Sequence, residues 1–160
     1  MSATRRSAEP DSPLRGDDPV RRGALDDYIA FHLQLAQNAS FKSFKRHAAQ
    51  ADLRPGHFAV LSLINDNPGV TPLALSRAAG RDKSTLTPVL RDLDRAMLIR
   101  RCPSTADRRS HGLHLTDKGS EKLAHLAECA ARHDRELDAI VGAGKTALLD
   151  MLRRLIAALD

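Results

Sequence analysis

Residues 71–116 constrain the fold of this chain most, because helix start and stop signals follow one another there at close spacing. Thr71 followed by Pro72 predicts a helix start, since the hydroxyl caps free backbone N–H groups and proline fits the first helical position. Gly80 then ends this helix with a left-handed turn. We expect its apolar residues to form one buried face, namely Leu73, Leu75, Ala78 and Ala79.

A second helix follows directly, begun by Asp82 or Ser84 and running to about Arg95. Its apolar residues recur at helical spacing, at Leu86, Val89, Leu90 and Leu93. The opposite face is rich in hydrogen-bond donors, namely Lys83, Ser84, Thr85, Thr87 and Arg91. A helix fits the major groove of duplex DNA, where such side chains reach base edges and phosphates. The pattern therefore indicates a recognition helix.

Two short alternating runs, 98–102 and 113–116, predict a hairpin with a cationic connection. Between positions 81 and 111 the chain has eight lysines and arginines against four aspartates, a net +4 of the +5 carried by the whole chain. Charge concentrated on one unit suits the neutralisation of phosphates. We therefore expect DNA contacts beyond the second helix as well, from Arg81, Arg108, Arg109 and Ser110.

This order of elements, the run DKSTLTPVLRDLDRAMLIRR and the wing ADRRSHGLHLTDKG resemble the MarR family of bacterial regulators. The resemblance covers roughly residues 25–160. It implies a homodimeric winged-helix repressor or activator that binds palindromic double-stranded DNA and releases it when a small aromatic molecule, a metal or an oxidant binds. By the same resemblance, Asp107 braces Arg109 in the wing.

The predicted fold class is mainly α with a small β-hairpin wing, a winged helix-turn-helix that dimerises through its N- and C-terminal helices. Residues 1–23 combine five basic and four acidic residues with three prolines and no apolar period, which predicts a flexible arm. Residues 24–160 then form a single domain. Its DNA-binding lobe spans about 53–116, and its dimerisation helices span 24–50 and 117–160.

The helices outside the wing are predicted from apolar spacing at 24–47 and 53–65, and from Thr116 as the cap of a long helix reaching about Val141. After a break at 142–144, the last helix has a wide apolar stripe at Leu148, Leu149, Leu152, Leu155, Ile156 and Leu159. Pairing of this stripe with the N-terminal helix of a second copy would bury both around a two-fold axis. The operator would then be an inverted repeat. Packing of the stripe within its own subunit is the alternative.

An effector pocket is implied by the family resemblance, where the first helix, the helix 55–65 and the start of the fifth helix meet the DNA-binding lobe. The candidate lining residues are Phe31, His32, Leu35, Phe58 and Leu61. A carboxylate effector would need a cation, for which the candidates are His32, Arg46, His47 and His57. Ordinary core packing explains each of these residues equally well.

Other motifs favour no further chemistry. The GKT run at 144–146 lacks the upstream glycine and the preceding strand of a nucleotide-binding loop. His125, Cys129 and His133 recur every four residues along one helix face. Three residues in a row on one helix do not easily complete the coordination shell of a metal ion, which would need further ligands such as His32 or His47. We therefore predict no metal, no cofactor and no enzyme, because no nucleophile stands with a base and an orienting group.

Two cysteines, Cys102 and Cys129, form no disulfide framework, and no signal or membrane segment is present, which favours a cytoplasmic protein. Cys102 lies beside Arg100 and Arg101 in the predicted wing strand. The alternatives to a ligand-released repressor are a winged helix that binds proteins and a metal- or redox-responsive regulator.

Overall fold

The computed structural model describes residues 20–48, 55–103 and 111–159, so most of the predicted arm lies outside the described residues. The chain divides into two compact units at residue 37. In the first, a 3-10 turn at Gly23–Asp27 precedes helix α1 (Ile29–His47), which continues into the second unit. The predicted continuous helix 24–47 is wrong at Tyr28, which is extended. There His32 Nε2 lies 2.7 Å from the Asp26 carbonyl oxygen, which a continuing helix would need as an acceptor.

The second unit contains the winged helix, followed by two helices. Its elements in chain order are α2 (Pro55–Asp66), α3 (Pro72–Ala78), α4 (Lys83–Arg95), β1 (Ile99–Pro103), β2 (His111–Leu115), α5 (Asp117–Val141) and α6 (Lys145–Leu159). A 3-10 turn at Gly142–Gly144 joins α5 to α6, as the glycines there predict. In the described ranges, no helix is long and apolar enough to cross a membrane.

The start and end of α3 are confirmed. The Thr71 hydroxyl accepts the N–H of Ala74 at 3.2 Å, and Gly80 is left-handed at φ +57°. The predicted buried face is confirmed at Leu75 but is wrong at Leu73 and Ala78, which are exposed, and Ser76 is buried instead. The Ser76 hydroxyl donates to the Arg81 carbonyl oxygen at 2.6 Å, so this polar side chain reaches the interior with its hydrogen bond satisfied.

The hairpin is present, but its strands are shifted from the prediction. Ile99 pairs with Leu115, and Pro103 pairs with His111, so His111 and Gly112 belong to β2 and not to the connection. Val70 forms an isolated bridge to Leu113, which brings the Gly69 backbone against Gly112. A Cβ at Gly112 would stand 2.7 Å from the Gly69 carbonyl oxygen. This close approach requires glycine.

Thr116 joins the hairpin to α5. Its hydroxyl oxygen accepts the N–H of Gly119 at 3.0 Å and donates to the Met97 carbonyl oxygen at 2.7 Å, so the predicted cap is confirmed. Fully buried side chains from α2 to α5 form a common core, among them Val60, Leu61, Ile64, Leu75, Leu86, Leu93, Leu113, Leu126 and Cys129. Because α4 and both strands contribute to this core, the core fixes their positions relative to each other.

Candidate functional site

The exposed face of α4 presents the hydrogen-bond donors that the sequence predicts there. Leu86, Leu90 and Leu93 are buried, and Val89 is half-buried against the same core. The side chains of the other face are exposed, namely Lys83, Ser84, Thr85, Thr87 and Arg91. An amphipathic helix of this kind offers its polar face to a groove while its apolar face holds it in place.

Asp82, not Ser84, caps α4. Its Oδ1 accepts the Thr85 N–H at 2.7 Å and the Ser84 hydroxyl at 2.6 Å. These hydrogen bonds, with the one from Ser84 largest, lower the pKa of Asp82 to about 2. The Thr87 hydroxyl donates to the Lys83 carbonyl oxygen at 2.7 Å, which leaves its methyl group for other contacts. The first turn of α4 is therefore held in one arrangement before any ligand binds.

A groove of about 650 Å³ runs between α3, α4 and the hairpin. Lys83 and Thr87 line it from α4, while Arg101 and His111 line it from the two strands. Arg101 also lies 3.9 Å from Asp94, between Nε and Oδ2. The groove places the guanidinium of Arg101 on the hairpin beside the recognition helix.

Among the described residues, Arg81 is a predicted DNA-binding residue that does not line this groove. The guanidinium of Arg81 lies where a Cβ on Gly56 would stand, so this side chain packs toward the start of α2. Arg108, Arg109 and Ser110 fall outside the described residues, as does Asp107 with its predicted brace to Arg109.

A second feature lies in the same unit, where α1 and α2 meet α5. The aromatic rings of Phe44 and Phe58 lie 6.2 Å apart between centroids, and they line a cavity of about 460 Å³. Alanines 127, 130 and 131 form its α5 wall, together with His133 and Asp134. Its walls are mostly aromatic rings and methyl groups, which suits a flat apolar molecule.

Polar side chains from α1 and α5 meet at one edge of this cavity. Ser40 Oγ lies 2.9 Å from His133 Nε2, and Ser43 donates to Glu136 Oε2 at 2.7 Å. His47 Nε2 lies 2.9 Å from Glu136 Oε1. The Ser43 hydroxyl, followed by His47, lowers the pKa of Glu136. These residues were not predicted as a group, because they come from positions that are far apart in the chain.

The predicted pocket residues are distributed differently. Phe58 lines the cavity, whereas Leu61 is fully buried in the core. His57 is buried, Arg46 is exposed, and His47 belongs to the polar edge. Phe31, His32 and Leu35 belong to the first unit. Phe44 and the α5 alanines were missed, although their helical spacing beside His133 was visible in the sequence.

The cysteines occupy unlike environments. Cys129 is fully buried, and its thiol lies 3.3 Å from the His47 carbonyl oxygen. Cys102 is half-buried, and the Arg100 guanidinium donates to its sulfur at 3.1 Å. In the α5 column, His133 and Cys129 are buried while His125 is exposed, so the three do not share one environment.

The packed helix-turn-helix, its exposed donor face and the adjoining cationic hairpin define a winged-helix DNA-binding protein. A model for the MarR family matches residues 53–111. The transcriptional regulator HosA of Escherichia coli O111:H- is 31% identical over 135 residues, which span 81% of this chain and 96% of HosA. A Thauera aromatica protein named for regulation of the hcr operon is 33% identical, over 83% of this chain and 81% of that protein.

Among solved structures, the transcriptional repressor CouR bound to a 23-mer DNA duplex is similar at a TM-score of 0.78 and 33% identity. The similarity covers 87% of this chain and 99% of CouR. The chain belongs to the MarR family of winged-helix transcriptional regulators.

Proposed function

We propose that this protein is a homodimeric repressor that binds an inverted repeat in duplex DNA and is released by a small aromatic effector. The observation that carries the proposal is the exposed donor face of α4 beside the cationic groove wall of the hairpin. The structure of CouR on a 23-mer duplex supports it, since CouR shares this fold over nearly its whole length. Action on DNA places the protein in the cytoplasm, and no catalytic step is proposed.

The DNA contacts divide by chemistry. Ser84, Thr85 and Thr87 lie on the first turns of α4, where side chains reach base edges, so we assign them to sequence readout. Lys83 and Arg91 suit phosphates. For the wing we assign Arg108, Arg109 and Ser110 to phosphates or the minor groove, with Asp107 as the brace of Arg109.

Dimerisation through the terminal helices is supported by apolar surface that one chain leaves uncovered. On α6, Met151 is 55% exposed and Ile156 is 62% exposed. In the first unit, Tyr28 and Ile29 are exposed as well. Large apolar side chains left exposed on a helix are available for an interface with a second copy. We assign residues 24–50 and 117–160 to the dimer and 53–116 to the DNA-binding lobe, with 1–23 as an arm.

The effector is assigned to the cavity between Phe44, Phe58 and α5. Two aromatic rings and an alanine wall accept a planar ring by stacking and shape. CouR bound to p-coumaroyl-CoA supports an effector derived from a phenolic acid, at 30% identity over 86% of this chain. Such an effector releases DNA by binding more tightly to the conformation whose recognition helices do not match the operator.

Selection from a random duplex library tests the DNA half of the proposal, in moderate salt that suppresses non-specific attachment. We expect enrichment of an inverted repeat with half-sites about one helical turn apart. A folded protein that enriches no sequence contradicts the proposal and favours a protein-binding winged helix.

The effector half is tested by displacement of the selected duplex with aromatic acids and their CoA thioesters. We expect one of these classes to raise the dissociation constant for DNA. Phe58→Ala should weaken that response by removing a cavity wall, while DNA affinity without effector stays unchanged. Phe41→Ala is the matched control, because Phe41 is also an aromatic residue of the second unit but does not line this cavity. Equal responses from both variants contradict the assignment.

A further inference from the structure

We propose that His47, His133 and Glu136 form a binding site for a divalent transition-metal ion of the zinc type. One ligand atom from each of the three side chains lies within 4.8 Å of the others. The last turn of α1 supplies His47, and α5 supplies His133 and Glu136 three residues apart on one face. This site goes beyond the proposed aromatic effector and does not depend on it.

A buried nitrogen atom of the cluster points to a missing partner. Nδ1 of His133 has no hydrogen-bond partner in the structure, although this side chain is only 8% exposed. Nε2 of His47 is also buried, and it faces Glu136 Oε1 at 2.9 Å. A buried polar atom without a partner costs free energy. A metal ion bound between these side chains would give His133 Nδ1 its missing partner.

The spacing of the ligand atoms fits one ion. Atoms that bind the same zinc at 2.0–2.1 Å in a tetrahedron lie roughly 3.3 Å apart. His47 Nε2 and Glu136 Oε1 are 2.9 Å apart, and the three ligand atoms all lie within 4.8 Å of one another, which is close to that value. Small rotations of the side chains are therefore enough to close the site.

Two serines on α1 hold the cluster in an orientation suited to metal binding. When Nε2–H of His133 donates to Ser40 Oγ at 2.9 Å, the lone pair on Nδ1 is free for a metal. Ser43 donates to Glu136 Oε2 at 2.7 Å, which leaves Oε1 on the side of His47. Hydrogen bonds of this kind orient the ligands of known metal sites.

The ligand chemistry selects the class of ion. Two imidazoles and one carboxylate suit zinc and its neighbours, whereas magnesium and calcium prefer oxygen ligands. Three protein ligands leave a fourth tetrahedral position for water. Because His133 also lines the aromatic cavity, an ion here would alter the wall of the effector site and link the end of α1 to α5.

The test is titration of tag-free, chelator-treated full-length protein with Zn²⁺ by calorimetry and with Co²⁺ by visible absorption. We expect saturable binding, with the intense absorption of four-coordinate Co²⁺. His47→Ala and Glu136→Gln should each weaken binding by about 100-fold, and Ser40→Ala by about 10-fold. Glu136→Gln keeps an acceptor for Ser43, and circular dichroism without metal checks that each variant is folded.

His125→Ala is the matched control, because His125 is an exposed histidine on the same helix. It should bind Zn²⁺ like the parent protein. Loss of binding in His125→Ala with retention in His47→Ala would overturn the proposal in favour of the α5 column with Cys129. Absence of binding by the folded parent would also overturn it, while operator binding, measured separately, would still test the proposed function.

Discussion

The backbone of Gly119, in the first turn of α5, packs against the carbonyl oxygen of Leu98, in the turn that follows α4. A Cβ at position 119 would collide with that oxygen, which belongs to the backbone and cannot rotate away. The same oxygen accepts the Thr116 N–H at 3.1 Å. The contact therefore depends on the absence of a side chain.

We expect Gly119→Ala to destabilise the protein by about 1–3 kcal/mol, the usual cost of overpacking a buried site. The measurement is the free energy of unfolding in urea. Gly144→Ala is the control, since a Cβ there meets only Val141 Cγ1 at 3.7 Å, an ordinary contact. The control should be neutral or slightly stabilising. Equal effects of the two substitutions would show that the Leu98 contact is unimportant.

Asp82 gives a pH prediction. Its pKa is lowered from 3.8 to about 2 in the folded protein, so the ionised carboxylate stabilises the fold fully above pH 3.8 and this contribution is lost as the pH falls toward 2. Asp82→Asn keeps a capping oxygen without the charge. The stability difference between the parent and Asp82→Asn should therefore shrink over that acidic window. Melting temperatures across the window measure it, and a constant difference would refute the prediction.

Lys83 lies on the first turn of α4 and lines the groove toward the hairpin. If it contacts a phosphate, Lys83→Ala should weaken binding to all duplex sequences and reduce the slope of log K against log[salt] by about 1. Fluorescence anisotropy over a salt series measures both effects. Lys45→Ala, at an exposed lysine on α1, is the control and should leave the slope unchanged. An unchanged slope for Lys83→Ala would remove this residue from the interface.

The exposed apolar stripe of α6 gives a prediction about assembly. Ile156→Asp should shift the protein toward monomer, because burial of an unpaired carboxylate in an apolar interface is costly. Analytical ultracentrifugation measures the shift, and operator affinity should fall with it. Arg154→Asp also places an aspartate on exposed α6 but at a polar position, and should remain dimeric. A dimeric Ile156→Asp protein would place the interface elsewhere.

Met97 adopts a left-handed conformation at φ 58° although it is not glycine, and its side chain is 65% exposed. Met97→Gly should raise stability by up to about 1 kcal/mol, because glycine tolerates this conformation without the steric cost. Met151→Gly, on the proposed dimer surface of α6, should lower stability by at least about 1 kcal/mol, since glycine weakens a helix interior. Thermal melting of both variants checks the opposite signs. Destabilisation by Met97→Gly would mean that the methionine side chain contributes more than its conformation costs.

Signals that act over a few residues were predicted correctly. Thr71, Asp82 and Thr116 each cap a helix by accepting a hydrogen bond from a backbone N–H three residues later. Such caps can therefore be predicted from neighbouring residues in the sequence. The buried face of α3 was predicted only in part, because burial of Ser76 depends on an acceptor, the Arg81 carbonyl oxygen, that only the folded turn provides. The hairpin boundaries shifted because strand pairing, and not local propensity, sets where a strand ends.

The cavity and its polar edge were harder to predict. His47 and Glu136 are 89 positions apart in the sequence but 2.9 Å apart in the structure, and no local pattern encodes that distance. His133 stood out in the sequence by its spacing, yet its neighbours on α1 include Ser40, Phe44 and His47. Identifying them requires the packing of α1 on α5.

Thr116 lies at the start of the long helix α5. From this residue α5 extends 25 residues, about 37 Å at the usual rise of an α-helix. A tilt of about 5° around the Thr116 end would carry the far end of the helix by roughly 3 Å. The Thr116 hydroxyl also donates to the Met97 carbonyl oxygen, just after the end of α4. The start of α5 is therefore hydrogen-bonded to the turn that follows the recognition helix. A small tilt of α5 is therefore expected to act on the end of the recognition helix α4.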